Sequence, residues 1–259
     1  MFLEIRNVSK CFGGLQALKE VSFSVDRGMI FGLIGPNGAG KTTLFNIIAG
    51  IFKPTAGEVL FKDNDISRKP NYRRIEYGIA RTFQNIRLFP NLTVLDNVRI
   101  GLHTKGKASL IASVLHLPSW RREEDSIMET AMKALSAVGL GGRAEIKAAF
   151  LSYGEQRLLE LVRGLVTEAE LLLLDEPAAG LNSVETANLV EVIRMIRTKW
   201  RRTILLVEHD MSLVMSICEH IVVLDHGMKI AEGNCSTIQN DPKVVEAYLG
   251  RRYAGGIKN

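Results

Sequence analysis

With 259 residues, 46% hydrophobic and 24% charged, the chain has the make-up of one large folded domain, or a core bearing a grafted lobe, which excludes a disordered protein. Its 33 basic and 28 acidic residues leave a net charge of +5, but the densest basic stretch, Arg68–Arg74, holds only Arg68, Lys69, Arg73 and Arg74 and reads as a solvated face, not a nucleic-acid surface. No apolar run reaches the ~18 residues of a membrane span, and Glu4 and Arg6 break the opening stretch that a signal peptide would need, so the chain is expected in the cytosol unless a partner holds it at a membrane.

In chain order, runs rich in Val, Ile and Leu predict strands over Leu3–Val8, Val21–Val25, Ile30–Ile34, Glu58–Phe61, Leu171–Leu174, Thr203–Val207, Ile221–Leu224 and Met228–Ala231. Helical spacing predicts helices over Lys41–Ala49, Thr93–Leu102, Arg121–Val138, Gln156–Val166, Val184–Lys199 and Met211–Cys218. The strands near residues 30, 171 and 203 are nearly all apolar, as strands covered on both faces of a parallel sheet are. From about 85 to 165 no strand pattern occurs, so a helical lobe interrupts an α/β core. Positions 103–120 add length to that lobe and carry no readable motif, and the tail after Gly250 is expected to fray. Cys11, Cys218 and Cys235 fit no CxxC pattern and are expected as free thiols.

Gly35-Pro-Asn-Gly-Ala-Gly40-Lys41-Thr42 follows the strand ending at Ile34 and opens into a helix. Its glycines let successive backbone N–H groups turn inward toward phosphate oxygens, and the helix N-terminus adds partial positive charge there. Lys41 can reach the β- and γ-phosphates, and the Thr42 hydroxyl can ligate Mg²⁺. Leu171-Leu-Leu-Leu-Asp175-Glu176-Pro177 puts two carboxylates at the carboxyl end of a buried strand, where ligands of open parallel sheets bind. Neighbouring side chains of an extended chain point oppositely, so the two acids divide the work. One suits a water-mediated contact with Mg²⁺, the other the polarising of an attacking water.

Leu151-Ser152-Tyr153-Gly154-Glu155-Gln156 precedes an amphipathic helix, and Ser152 with Glu155 spells a capping box. With the phosphate loop before it and the acidic strand after it, this chain resembles the ABC ATPase family, whose pattern here is Leu-Ser-Gly-Gly-Gln; Tyr153 and Glu155 depart from it. The resemblance implies an α/β fold with a P-loop parallel-sheet core, an antiparallel β subdomain and an inserted α-helical subdomain. It implies one domain over 1–250, its core roughly 1–84 and 166–250 and its helical subdomain roughly 85–165, with 251–259 a flexible tail. It also implies an ATP hydrolase that uses Mg²⁺. Phe12 would stack on adenine, while Gly35, Asn37, Gly38, Gly40, Lys41, Thr42 and Thr43 would hold the phosphates. Thr42, Gln84 and Asp175 would serve Mg²⁺, and Glu176, His209 and Gln84 would carry hydrolysis. Ser152 and Gly154 would close over the ATP of a second subunit. Gln84 would further couple nucleotide state to the lobe. Asn182 stands where the family usually has Asp, which drops a charge at the loop after the acidic pair. His103, His116, His220 and His226 are assigned no role.

Several phrases narrow the resemblance: Pro-Ala-Ala-Gly-Leu-Asn182, Val-Glu-His209-Asp-Met and Arg-Thr-Phe-Gln84-Asn-Ile-Arg-Leu-Phe-Pro are similar to ATP-binding subunits of branched-chain amino acid importers. The ending Asp-Pro-Lys-Val-Val-Glu-Ala-Tyr-Leu-Gly is similar as well. Such a system implies a second ABC ATPase subunit in a hetero- or homodimer, transmembrane permeases, indirectly a periplasmic binding protein, and no nucleic acid. The chain would then be peripheral on the inner face of the cell membrane. A lipopolysaccharide-export ATPase shares much of this pattern and stays open as an alternative. So do a soluble ABC ATPase acting on nucleic acid or ribosomes and a binding module that does not hydrolyse ATP.

Overall fold

The computed structural model describes residues 1–82, 86–103 and 118–249, so Gln84, most of 103–120 and the tail after Gly250 lie outside the described residues. The chain divides into two compact units. The first comprises Met1–Arg81, Glu170–Ala179 and the chain from Ile193 on; the second comprises Thr82–Ala169 and Gly180–Val192.

In the first unit β1 (Leu3–Phe12), β2 (Leu15–Val25), β4 (Ala56–Phe61) and β5 (Asn64–Asp65) make an antiparallel sheet of order β2-β1-β4-β5. A second sheet has the order β10-β9-β3-β8-β7-β6, from β3 (Ile30–Ile34), β6 (Ile79–Arg81), β7 (Leu171–Asp175), β8 (Thr203–Val207), β9 (His220–Asp225) and β10 (Met228–Gly233). All its pairs are parallel except β10 with β9. Every residue of β3, β7 and β8 is buried, as their unbroken apolar runs require. Register aligns their carboxyl ends, with Leu33 opposite Val207 and Asp175 opposite Val207. The phosphate loop, the acidic pair and Glu208-His209 therefore leave the sheet along one edge.

Helix α1 (Lys41–Ile48) buries Leu44, Phe45, Ile47 and Ile48 in one core with Leu3, Phe31, Leu33, Phe61, Leu171 and Leu205. Each such side chain contributes about 1.5–3 kcal/mol by leaving water. Arg74 corrects the reading of Arg68–Arg74 as a solvated face. It is buried, and its guanidinium donates to Ile66 O at 2.7 Å and to Ile47 O, in the last turn of α1, at 3.4 Å. Burial pushes its pKa down to about 10. The short helices α2 (Arg74–Tyr77), and near the end of the chain Cys235–Gln239 and Pro242–Leu249, escape the sequence pattern, as do β5 and β6. All three cysteines are free, with Cys218 buried.

The second unit packs α3 (Val94–His103), α4 (Pro118–Ala137) and α5 (Tyr153–Val166) through apolar positions three and four apart, among them Val94 and Val98, Ile127, Ala131 and Leu135, and Leu158, Leu161 and Leu165. Asn97, wholly buried, accepts from Phe89 N–H and donates to the Phe89 and Thr93 carbonyls, so its burial leaves no amide group unmet. Helix α6 (Ser183–Thr198) begins in this unit. Among the described residues no helix is long and apolar enough to cross a membrane.

Candidate functional site

Between β3 and α1 the chain curls back on itself. A Cβ at Gly35 would lie 2.1 Å from the Leu224 carbonyl oxygen, so only glycine permits the backbone to pass so close to β9. Gly40, with φ 99°, precedes the first turn of α1, and that turn holds no acidic side chain. The positive end of the helix is thus left open to an anion. Lys41 is buried, and its ammonium donates to Gly35 O at 2.7 Å and Pro36 O at 3.0 Å. Burial lowers its pKa, and the nearby Glu176 carboxylate partly restores it.

A cavity of about 540 Å³ opens over this loop, lined by Asn37–Thr43, Phe12, Leu15–Ala17, Glu176, His226 and Gly227. That volume suits a molecule of nucleotide size. Phe12 is 40% exposed, with Phe52 edge-on at 5.2 Å and the Lys10 ammonium 4.8 Å from its ring. Leu15–Ala17 and the His226–Gly227 turn carried no sequence signal. They come from the β2 start and the β9–β10 hairpin, which docks through Gly227 N–H on Ala39 O at 3.0 Å.

The two acids at the end of β7 diverge. Asp175 is buried, its Oδ2 accepting from Arg81 Nη2 at 2.7 Å. Glu176 has φ 45°, its N–H continues the ladder to Val207 O at 2.9 Å, and its side chain lines the cavity. His209 is largely exposed, with Nδ1 3.8 Å from Glu176 Oε1. Below it, Glu208 is buried and accepts N–H groups from Ala178 at 2.9 Å and from His209 at 3.1 Å. Burial raises its pKa despite these donors.

In the second unit the capping box forms as the sequence reads. Ser152 Oγ accepts from Glu155 N–H at 3.3 Å, and Ser152 N–H donates to Glu155 Oε2 at 2.8 Å. A Cβ on Gly154 would lie 2.6 Å from Glu185 Oε1, so a larger residue there would oblige that side chain to shift. The Tyr153 ring lies against Gly180, its Cε1 3.1 Å from where a Cβ would stand, and the Arg157 guanidinium sits 5.7 Å from the ring. Asn182 caps α6. Its Oδ1 accepts from Val184 and Glu185 N–H at 3.0 Å each, and its own N–H donates to Glu185 Oε2 at 3.0 Å. An amide does this as well as a carboxylate, which accounts locally for Asn where Asp is usual.

Among the described residues no group of three or more His, Cys, Asp or Glu could hold a metal ion. The oxygens at hand, the Thr42 hydroxyl and the two carboxylates, are hard donors suited to Mg²⁺, which keeps waters and takes phosphate oxygens for much of its shell. The donor set therefore fits Mg²⁺ carried in with a nucleotide.

The ABC transporter family matches residues 18–179, and a C-terminal family, branched-chain amino acid ATP-binding cassette transporter, matches 228–254. The high-affinity branched-chain amino acid transport ATP-binding protein LivG of Escherichia coli K12 is 43% identical over 248 residues, covering 96% of this chain and 97% of LivG. BraF of Pseudomonas aeruginosa, of the same description, is 41% identical over the same shares. Among solved structures, the ADP conformation of MJ1267, an ATP-binding cassette of an ABC transporter, superposes with a TM-score of 0.83 at 35% identity, covering 96% of this chain and 99% of that one. A dimeric cassette bound to ADP and Pi, MJ0796, superposes at 0.75 with 25% identity, covering 90% and 99%.

Proposed function

Since the chain belongs to the ABC transporter family, we propose that it is the ATP-hydrolysing subunit of an importer of branched-chain amino acids. The observation that carries the hydrolytic part is one cavity lined by Lys41, Thr42 and Glu176, with His209 3.8 Å from Glu176. Lys41 exchanges two loop carbonyls for phosphate oxygens, which accept more strongly because they are charged. Phe12 offers a ring face to adenine. Glu176 orients the attacking water and takes its proton, and His209 steadies the γ-phosphate. Ser152 and Gly154 close over the ATP of a second subunit, and Gln84 is assigned to Mg²⁺ and the attacking water on the resemblance to the family alone. Mg²⁺, when bound at Thr42 and Asp175, neutralises charge developing across the phosphates. The two compact units together make a single ABC cassette.

The cargo reading rests on the near-full-length likeness to LivG and BraF and on the C-terminal match. It implies permease partners and a place at the membrane through them. Uptake of labelled leucine by cells whose only copy carries Lys41→Ala tests it. Uptake should be lost while that of an unrelated solute persists. Unchanged leucine uptake would reject the cargo and favour the exporter alternative.

A further inference from the structure

Arg81 closes β6 and is fixed on three sides. Its Nη2 donates to Asp175 Oδ2 at 2.7 Å, its Nη1 donates to Asn46 Oδ1 at 2.6 Å, and its guanidinium stands 4.8 Å from the Phe45 ring. Asn46 and Phe45 lie on α1, the helix that Lys41 and Thr42 open. One planar cation therefore ties the ends of β6 and β7 to the phosphate-binding helix. Both partners of the ion pair are largely buried, at 14% and 7% side-chain exposure.

A buried pair of this kind adds little net stability, because desolvating two charges offsets their attraction. Its place suggests another use. Asp175 directly precedes Glu176, which lines the cavity, and a carboxylate so placed without a counter-charge would repel a polyphosphate entering it. Lys41 directs its ammonium to the Gly35 and Pro36 carbonyls instead. A guanidinium already on Asp175 cancels that repulsion and points the carboxylate before any metal arrives. On the reading that the cavity takes a nucleotide, we propose that Arg81 is a positioning residue, a resident counter-cation for Asp175 that sets how far nucleotide binding depends on Mg²⁺.

The test is the dissociation constant of ATP for the full chain, measured with Mg²⁺ and again with excess EDTA. Wild type should bind in both conditions with affinities within about tenfold of each other. In Arg81→Met, metal-free affinity should fall by about tenfold or more while affinity with Mg²⁺ changes far less, since the metal supplies the missing charge. Arg81→Lys, which keeps the charge and loses the fork, should lie nearer wild type than Arg81→Met. A fall that is equal in both conditions, or no change, would overturn the proposal, because a merely structural role has no reason to follow the metal. Should Arg81→Met fail to fold, the doubly neutral Arg81→Met/Asp175→Asn decides. With no charge left to balance, its metal-free affinity should return to within about threefold of wild type. Continued weakness there would also overturn the proposal. Absence of ATP binding by wild type in both conditions would instead strike the nucleotide-binding reading itself.

Discussion

At the scale of single residues, Lys41 and Glu176 line the same cavity and, on the proposed function, would serve different steps. Lys41→Ala removes the charge-assisted contacts to phosphate, each of which is worth about 1.5–3 kcal/mol. Equilibrium dialysis should show ATP affinity falling by about ten- to a hundredfold; unchanged affinity would remove Lys41 from the phosphate site. Glu176→Gln keeps size and polarity but cannot accept a proton. ATP should stay bound while turnover drops by about 10²–10⁴-fold in a phosphate-release assay. A near-normal rate would leave the base role vacant.

Elements respond through their ends. Asn182 satisfies two backbone donors at the start of α6, so Asn182→Ala should cost about 1 kcal/mol in thermal unfolding while Asn182→Asp costs little. Glu208 acts on the turns after β7 and β8 by accepting from Ala178 and His209. Its folded pKa lies above the ordinary carboxylate value of 4.5, so the folded chain holds the extra proton. The stability Glu208 lends is full below about pH 4.5 and is lost as pH rises through the raised value. Glu208→Gln should gain on wild type as pH rises from 4.5 toward 7, and parallel curves would refute this.

How far these elements could be read beforehand depended on their patterning. The three central strands announce themselves because nothing polar interrupts them, and β3 and β8 fall on their predicted ends. The first two strands run longer than their apolar cores, since polar residues such as Lys10 and Gln16 still pair across the ladder. Strand β6, of three residues, is too short for any period, and Arg81 entered only as part of the phrase around Gln84, with no role of its own. The loop glycines, Lys41 and the acidic pair stood out by motif and His209 by resemblance, and the structure sets Lys41 and Glu176 at one cavity with His209 3.8 Å from Glu176. Leu15–Ala17 and His226 reach the same cavity only through tertiary folding.

For the whole molecule, the proposed signature, carried by one copy and completed on another, would make hydrolysis a two-body property. Specific ATPase activity of the isolated chain should therefore rise with protein concentration, and strict proportionality between rate and concentration would count against the composite site. Stability is the other property of the whole, and Glu176 bears on it through its backbone. A φ of 45° costs a residue with a side chain about 1–2 kcal/mol, and glycine nothing. Glycine substitutions ordinarily destabilise more than alanine ones, but here the order should invert, with Glu176→Gly melting above Glu176→Ala. On the proposed base role, both variants would turn over ATP far more slowly than wild type. Selection for endurance and selection for work thus pull residue 176 toward different amino acids, and a lineage released from the need to hydrolyse ATP would be expected to drift toward glycine there.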